Sequence, residues 1–232
     1  KDMNALTADN GGDDARETGK NEKKKAAYAG GLVIEPEAGF YDKFVLLLDF
    51  NSLYPSIIRE YNICFTTVDR APSVDFNGRN LTDESAPVDV SLPRYDAKPG
   101  VLPQVIGTLV EKRKAVKMML KNEKDSKKAD QLDIRQRALK LTANSMYGCL
   151  GFQNSRFYAK PIAALITQTG RQTLESTNKL VTNQGYKVIY GDTDSIMIYS
   201  KSDILSEVMQ IGNRVKAEVN KLYRHLEIEI DG

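Results

Sequence analysis

Asp192 and Asp194 stand two positions apart in Gly191-Asp-Thr-Asp-Ser195, between two short runs rich in β-branched and aromatic residues. Those flanks read as strands and the polar stretch as a hairpin turn with carboxylates at its tip. If both residues stayed extended, their side chains would share a face; a turn would aim them differently. Carboxylates brought close repel, and a hard divalent cation such as Mg2+ removes the repulsion with oxygen ligands. An ordinary Gly-Asp turn accounts for the stretch equally well when it is taken alone. Far upstream, Asp49 sits near the end of the apolar run Phe44-Val-Leu-Leu-Leu-Asp-Phe50. A lone carboxylate there is costly unless it is paired or metal-bound.

The elements that must position these acids are legible around them. The run at 44–50 suits a strand buried on both faces. Asn51-Ser-Leu-Tyr-Pro-Ser-Ile-Ile58 then turns the chain, and Pro55 fits the first turn of a helix with Ser52 or Tyr54 near its cap. Backbone N–H groups at such a start suit a phosphate, although a plain strand–turn–helix is the simpler account. Residues 71–100 hold Pro, Asp and Ser with little periodicity and read as a loop or insertion.

From Val101 to Ala129, Leu102, Val105, Ile106, Leu109, Val110, Val116, Met119 and Leu120 recur at helical spacing. Arg113, Lys117, Lys121 and Lys124 repeat on one face, which suits either solvent or phosphate. Asn122 to Asp130 reads as the bend before a second helix over Gln131 to Tyr147, patterned through Leu132, Ile134, Leu139 and Leu141. Gly148 and Gly151 would end or loosen it. Arg137, Lys140, Asn144 and Tyr147 share a face, and a cation, an amide and an aromatic ring so aligned suit a triphosphate and a stacked base. A further helix is expected over Ala159 to Gln184 with Pro161 in its first turn. Another is expected from a Ser202 cap to about Tyr223, and a half-buried strand over Leu226 to Ile230.

At 232 residues the chain suits one large or two small domains, and its net charge of +2 implies no partner by itself. Cys64, Cys149 and the single His225 are too few and too scattered for a local zinc cluster, and they suit a reducing compartment. His225 reads as a surface or packing residue. No apolar run approaches the roughly 18 residues of a membrane span, so no membrane partner is expected, and no secretory signal is visible. Residues 1–27 are Asp/Asn/Gly/Lys-rich and read as a flexible arm. The chain opens on Lys1 and stops just after a strand pattern, so an excised piece is expected.

Three stretches, Asp49-Phe-Asn-Ser-Leu-Tyr-Pro-Ser-Ile-Ile58, Lys140-Leu-Thr-Ala-Asn-Ser-Met-Tyr-Gly148 and Tyr190-Gly-Asp-Thr-Asp-Ser195, resemble in order and separation the three polymerase motifs of family B DNA polymerases. Asn62-Ile-Cys-Phe-Thr-Thr67 and Cys149-Leu-Gly-Phe152 extend the likeness. Tyr28-Ala-Gly-Gly31 is similar to the family's link between exonuclease and polymerase regions. The paired glycines also permit a tight turn or a close backbone approach. The resemblance covers roughly residues 28–232 and implies an α+β fold. Its antiparallel-sheet palm would lie over 28–100 and 149–232, with a two-helix fingers subdomain over 101–148 and the exonuclease-like region and thumb absent.

What the resemblance implies for chemistry is template-directed transfer of a dNTP to a primer 3′-hydroxyl. Two Mg2+ ions would be held by Asp49 and Asp194, the Phe50 carbonyl and, less directly, Asp192. Arg113, Lys117, Lys140 and Asn144 would hold the triphosphate, and Lys140 would protonate the leaving group. The N–H groups of Ser52, Leu53 and Tyr54 would cradle phosphate oxygens, and the Tyr54 ring would exclude a 2′-hydroxyl. Tyr147 and Gly148 would border the nascent base pair, with Tyr28, Gly30 and Gly31 near the DNA. A primer–template of DNA or RNA primer on DNA, a primase, an accessory polymerase subunit and a nuclear location follow from the same resemblance. The alternative is a weakly catalytic nucleic-acid-binding or scaffold piece lacking the thumb.

Overall fold

A computed structural model describes residues 29–69 and 90–231. The arm expected over 1–27, Tyr28 and residues 71–89 of the expected loop lie outside the described residues. The elements run β1 (Val33–Ile34), β2 (Val45–Phe50), α1 (Leu53–Glu60), α2 (Val101–Asn122), α3 (Ser126–Gly151), α4 (Lys160–Asn183), β3 (Lys187–Asp192), β4 (Ser195–Tyr199), α5 (Leu205–Asn220) and β5 (Ile228–Ile230). This is an α+β arrangement. The strands form one antiparallel sheet in the order β1-β3-β4-β2-β5, so the hairpin β3–β4 lies beside β2 although nearly 140 residues separate them.

β2 departs from the expected strand buried on both faces. Leu46, Leu48 and Phe50 are buried, whereas Val45, Leu47 and Asp49 on the other face are half-buried. In an antiparallel sheet one face can pack while the other stays open. The packed face continues through Ile196, Ile198 and Ile228, the register partners of Leu48, Leu46 and Phe50. α5 lies on it where Gly212 has no side chain; a Cβ there would stand 2.7 Å from Ile230 Cδ1 and 3.1 Å from Leu46 Cδ1. Ile57 and Ile58 of α1 and Ile162, Ile166 and Leu174 of α4 complete the core. Asp49 belongs to the open face, which is what makes it available for chemistry.

The helix boundaries correct several expectations. The bend between α2 and α3 is only residues 123–125, because the Asp125 carboxylate accepts the Lys127 N–H at 2.9 Å and starts α3 at Ser126. Lys124 therefore falls outside α2. Gly148 lies inside the last turn of α3 and does not end it, whereas Gly151 is the last residue of the helix, as expected. α5 starts at Leu205; Ser202 still serves its N-terminus, accepting the Ile204 N–H at 3.1 Å and donating to Glu207 at 2.6 Å. Ile134, Leu141, Val105 and Met119 are exposed rather than core. Near their base α2 and α3 also pack on α1 and α4, but further out the two antiparallel helices cover one stripe apiece, so the rest of each apolar pattern faces outward. α2 and α3 thus form a projecting arm. Among the described residues no helix is long and apolar enough to cross a membrane, and both cysteines are free.

Candidate active site

The end of β2 and the β3–β4 turn are fastened to each other. The Phe50 N–H donates to the Asp194 carbonyl at 2.8 Å, and Asp49 pairs in register with Ser195. Both acids therefore stand at one edge of the open face. Burial pushes the Asp49 carboxyl up to about 6, helped by the negative charges of Asp194 and Asp231 and opposed by Lys140 and the Phe50 N–H. Asp194 is also pushed up, by burial first and then by Asp192, against its own N–H. A site that resists ionisation of two half-buried carboxylates is one that favours a cation.

Backbone strain marks both sides. Ser52, the N-cap of α1, has φ 49° and ψ 58°, and Thr193 has φ 54°. Such left-handed positions are unusual for residues other than glycine and concentrate at functional turns. Ser52 swings the chain from β2 into α1, a turn held by Ser56, whose hydroxyl donates to the Asn51 carbonyl at 3.0 Å. Thr193 stands between the two acids, and the charge of Asp192 still reaches Asp194. Asp192 is exposed and accepts the Thr193 hydroxyl at 2.8 Å and the Tyr190 hydroxyl at 3.5 Å. Among the described residues no three His, Cys, Asp or Glu side chains converge as a metal cluster. The donors gathered here are two carboxylates and main-chain oxygens, an all-oxygen set that fits Mg2+.

The arm brings its own residues. Lys140 lies near enough for its charge to act on Asp49. Asn144 follows one turn later, and Tyr147 one turn after that stacks on Tyr54 with ring centroids 4.2 Å apart and planes at 28°. Gly170 of α4 lies beside the Tyr54 ring, where an added Cβ would stand 3.4 Å from Tyr54 Cε1. Gly148 is exposed with open space over its Cα. Arg113 donates from Nε to Gln136 of α3 at 3.3 Å. Lys117 lies about one turn nearer the tip of the arm, away from the carboxylates. Arg137 is tied to Asp133 on its own helix.

Of the glycine pair, Gly31 packs against the hairpin tip. The Thr193 N–H donates to the Leu32 carbonyl at 2.8 Å, and β1 pairs with β3 as Val33 with Asp192. A Cβ on Gly31 would stand 2.5 Å from Thr193 Oγ1, whereas Gly30 has nothing within 4 Å. Arg171 of α4 reaches across and donates to the carbonyls of Ala29 at 3.0 Å and Gly30 at 2.6 Å. Sequence reasoning missed Arg171, Thr193 and Asp231. Arg171 reads as one more polar position on a helix. Asp231 carried a signal: it follows directly on an alternating strand, and its N–H extends the pairing to the Leu47 carbonyl at 3.0 Å.

Comparison with known proteins agrees in extent with the motifs. The sequence model of the family described as DNA polymerase family B matches residues 8–232. The chain is 56% identical over 234 residues to the DNA polymerase alpha catalytic subunit of Sterkiella nova, covering 95% of this chain and 16% of that protein. It is 55% identical over 235 residues to the Xenopus laevis protein of the same name, covering 100% of this chain and 16% of the relative. With the Mus musculus protein the figures are 57% over 213 residues, 91% and 14%. The chain spans about one sixth of the length of these relatives.

Proposed function

The chain belongs to DNA polymerase family B, and on that premise we propose that it carries the nucleotidyl-transfer centre of a template-directed DNA polymerase, joining a dNTP to a primer 3′-hydroxyl. The observation that supports this best is the meeting of Asp49 and Asp194 across the Phe50–Asp194 hydrogen bond, with Lys140 close by. In this reading the sheet with α1, α4 and α5 is the palm and the α2–α3 arm is the fingers.

Asp49 and Asp194, with the Phe50 carbonyl, would hold two Mg2+ ions, and Asp192 stands aside from them. When bound, the ions lower the pKa of the primer hydroxyl and neutralise charge on the triphosphate and departing pyrophosphate. The chain's own residues do the positioning. Arg113, Lys140 and Asn144 draw the triphosphate along the arm, and Lys117 serves its outer end. The start of α1, at Ser52, Leu53 and Tyr54, presents N–H groups to phosphate oxygens. Lys140 delivers a proton to the leaving pyrophosphate. Tyr54 lies under the sugar and rejects a 2′-hydroxyl, while Tyr147 and Gly148 border the new base pair. Held this way, the reactants meet in line, and positioning and electrostatics carry most of the rate.

The longer protein would extend RNA primers on DNA in the nucleus beside a primase and an accessory subunit. The decisive experiment is primer extension by the full-length polypeptide beside an Asp49→Asn version. Template-directed, divalent-metal-dependent dNTP incorporation lost in the variant supports the reading; equal incorporation overturns it. Metal-dependent dNTP binding by the same protein separates an enzyme from a scaffold.

A further inference from the structure

The stretch Asn62-Ile-Cys-Phe-Thr-Thr67 takes no part in the chemistry above, yet it forms the seat of α2. Asn62 stands just beyond α1 at φ 53°, a left-handed position that Asn tolerates better than most residues. Its Oδ1 accepts the Gly100 N–H at 2.7 Å, and its Nδ2 donates to the carbonyls of Lys98 at 3.0 Å and Ala97 at 3.4 Å. The Thr67 hydroxyl donates to the Asn62 carbonyl at 2.5 Å and so braces the bracket from within.

Cys64, only 2% exposed, completes the seat. Its Sγ accepts the Leu102 N–H at 3.3 Å and the Thr66 hydroxyl at 3.4 Å. Burial pushes this thiol up, but the hydroxyl and N–H donors around it outweigh burial and bring it below the ordinary range. Gly100 is the N-cap of α2 and has no side chain to cap with. A Cβ there would stand 2.5 Å from Cys64 Cβ, so its absence is what lets the sulfur reach the first turn. The orphan donors of that turn are therefore served from a segment nearly 40 residues away. Leu102 and Ile106 are buried beside the seat, and past them Val116 is the only other hydrophobic residue of α2 that is buried.

We propose that Asn62 and Cys64 are positioning residues that set the angle of the α2–α3 arm, and through it the approach of Arg113 and Lys140 to the carboxylate pair. The inference rests on the reading of the arm as the holder of the triphosphate. Leverage gives it force. Arg113 stands about 18 Å along α2 from Val101, so a slip of about 5° at the seat carries it about 1.5 Å. Misplacement by about 1 Å is enough to cost on the order of a hundredfold in rate.

The test uses the full-length polypeptide with Asn62→Gly, which keeps the left-handed backbone and removes the amide, with Cys64→Ala, and with Cys64→Ser, which keeps an acceptor. The KM for dNTP rises by about tenfold or more in the first two, primer–template affinity stays within about twofold, and Cys64→Ser remains near wild type. Hydrogen exchange accelerates at residues 101–104 while β2 keeps its protection. A wild-type dNTP KM in Asn62→Gly and Cys64→Ala overturns the proposal. So does loss of β2 protection together with α2, since the two residues would then hold the whole fold rather than the arm. A wild-type protein that incorporates no dNTP at all would instead sink the activity reading, and the exchange pattern would still show whether the seat exists.

Discussion

The Phe50 N–H donates to the Asp194 carbonyl at 2.8 Å. That one main-chain bond fixes the end of β2 against the hairpin turn and so decides which of the two hairpin acids meets Asp49. Asp194→Asn leaves the main-chain bond in place and removes only the charge. Incorporation of dNTP by the full-length polypeptide is expected to fall by roughly a thousandfold or more, the scale of losing electrostatic stabilisation in a transition state. Primer–template binding, measured by fluorescence anisotropy, is expected to be unchanged. Asp192→Asn, with its carboxylate already engaged by Thr193 and Tyr190, is expected to have a smaller effect on incorporation.

Asp49 also makes the protein pH-sensitive in a definite direction. Its carboxyl is raised from the ordinary range near 3.8 to about 6 by burial and by the neighbouring acids. Below the ordinary value both folded and unfolded chains hold the proton, and nothing is lost. As pH rises towards 6 the unfolded chain ionises first, so stability falls, and above 6 the penalty stays constant. Asp49→Asn is therefore expected to melt a few degrees above wild type at pH 7 to 8 in chelator, and level with it near pH 4. Added Mg2+ is expected to raise the wild-type melting temperature at pH 7 and to leave that of Asp49→Asn nearly fixed. Thermal unfolding across that pH range, with and without Mg2+, checks both signs.

Much of this arrangement was legible in the sequence, and the reasons for the exceptions are physical. The hairpin showed because β-branched flanks and a polar turn occur together, and α4 because its apolar residues recur over many turns. The end of α3 showed only in part, since Gly151 closes the helix but Gly148 does not. Glycine weakens a helix, but α3 continues through Gly148 because the Tyr147 stack and buried Leu150 hold that turn. The exposure of Ile134 and Leu141 was illegible because periodicity reports a stripe and not whether a neighbour exists to cover it. Within the site, Asp49, Lys140 and Tyr147 were recognisable by residue type and motif. Arg171 and Thr193 were not, since their roles come from contacts across more than 140 residues, with Ala29 and Gly30 on one side and Leu32 on the other.

The glycine pair offers an internal control. Gly31 abuts Thr193, with a Cβ position 2.5 Å from Oγ1 and 3.1 Å from Cβ, while Gly30 faces open space. Gly31→Ala must push the turn that carries Asp194, and overpacking of this kind costs about 1–3 kcal/mol. Gly30→Ala is expected to stay within about 0.5 kcal/mol of wild type. Chemical denaturation separates the two, and incorporation is expected to fall only in Gly31→Ala. Equal stability of both variants would mean that the tip yields without resistance.

If Tyr54 lies under the sugar as proposed, sugar discrimination depends on how the ring is held. One face stacks on Tyr147 with centroids at 4.2 Å, and an edge abuts α4 at Gly170. With one face covered by Tyr147, the ring is hindered from turning away, and in the proposed reading it would exclude a 2′-hydroxyl by its bulk and not by its phenolic oxygen. Tyr54→Ala is therefore expected to lower the preference for dNTP over NTP by roughly one to two orders of magnitude, the scale on which packing separates substrates differing by one hydroxyl. Tyr54→Phe is expected to keep the preference. Tyr147→Ala leaves the ring present but frees one face, and an intermediate loss is expected. The ratio of kcat/KM for dNTP and NTP in the full-length polypeptide measures all three. An unchanged ratio in Tyr54→Ala, with normal dNTP incorporation, would remove the ring from sugar selection and leave the stack with a structural role alone.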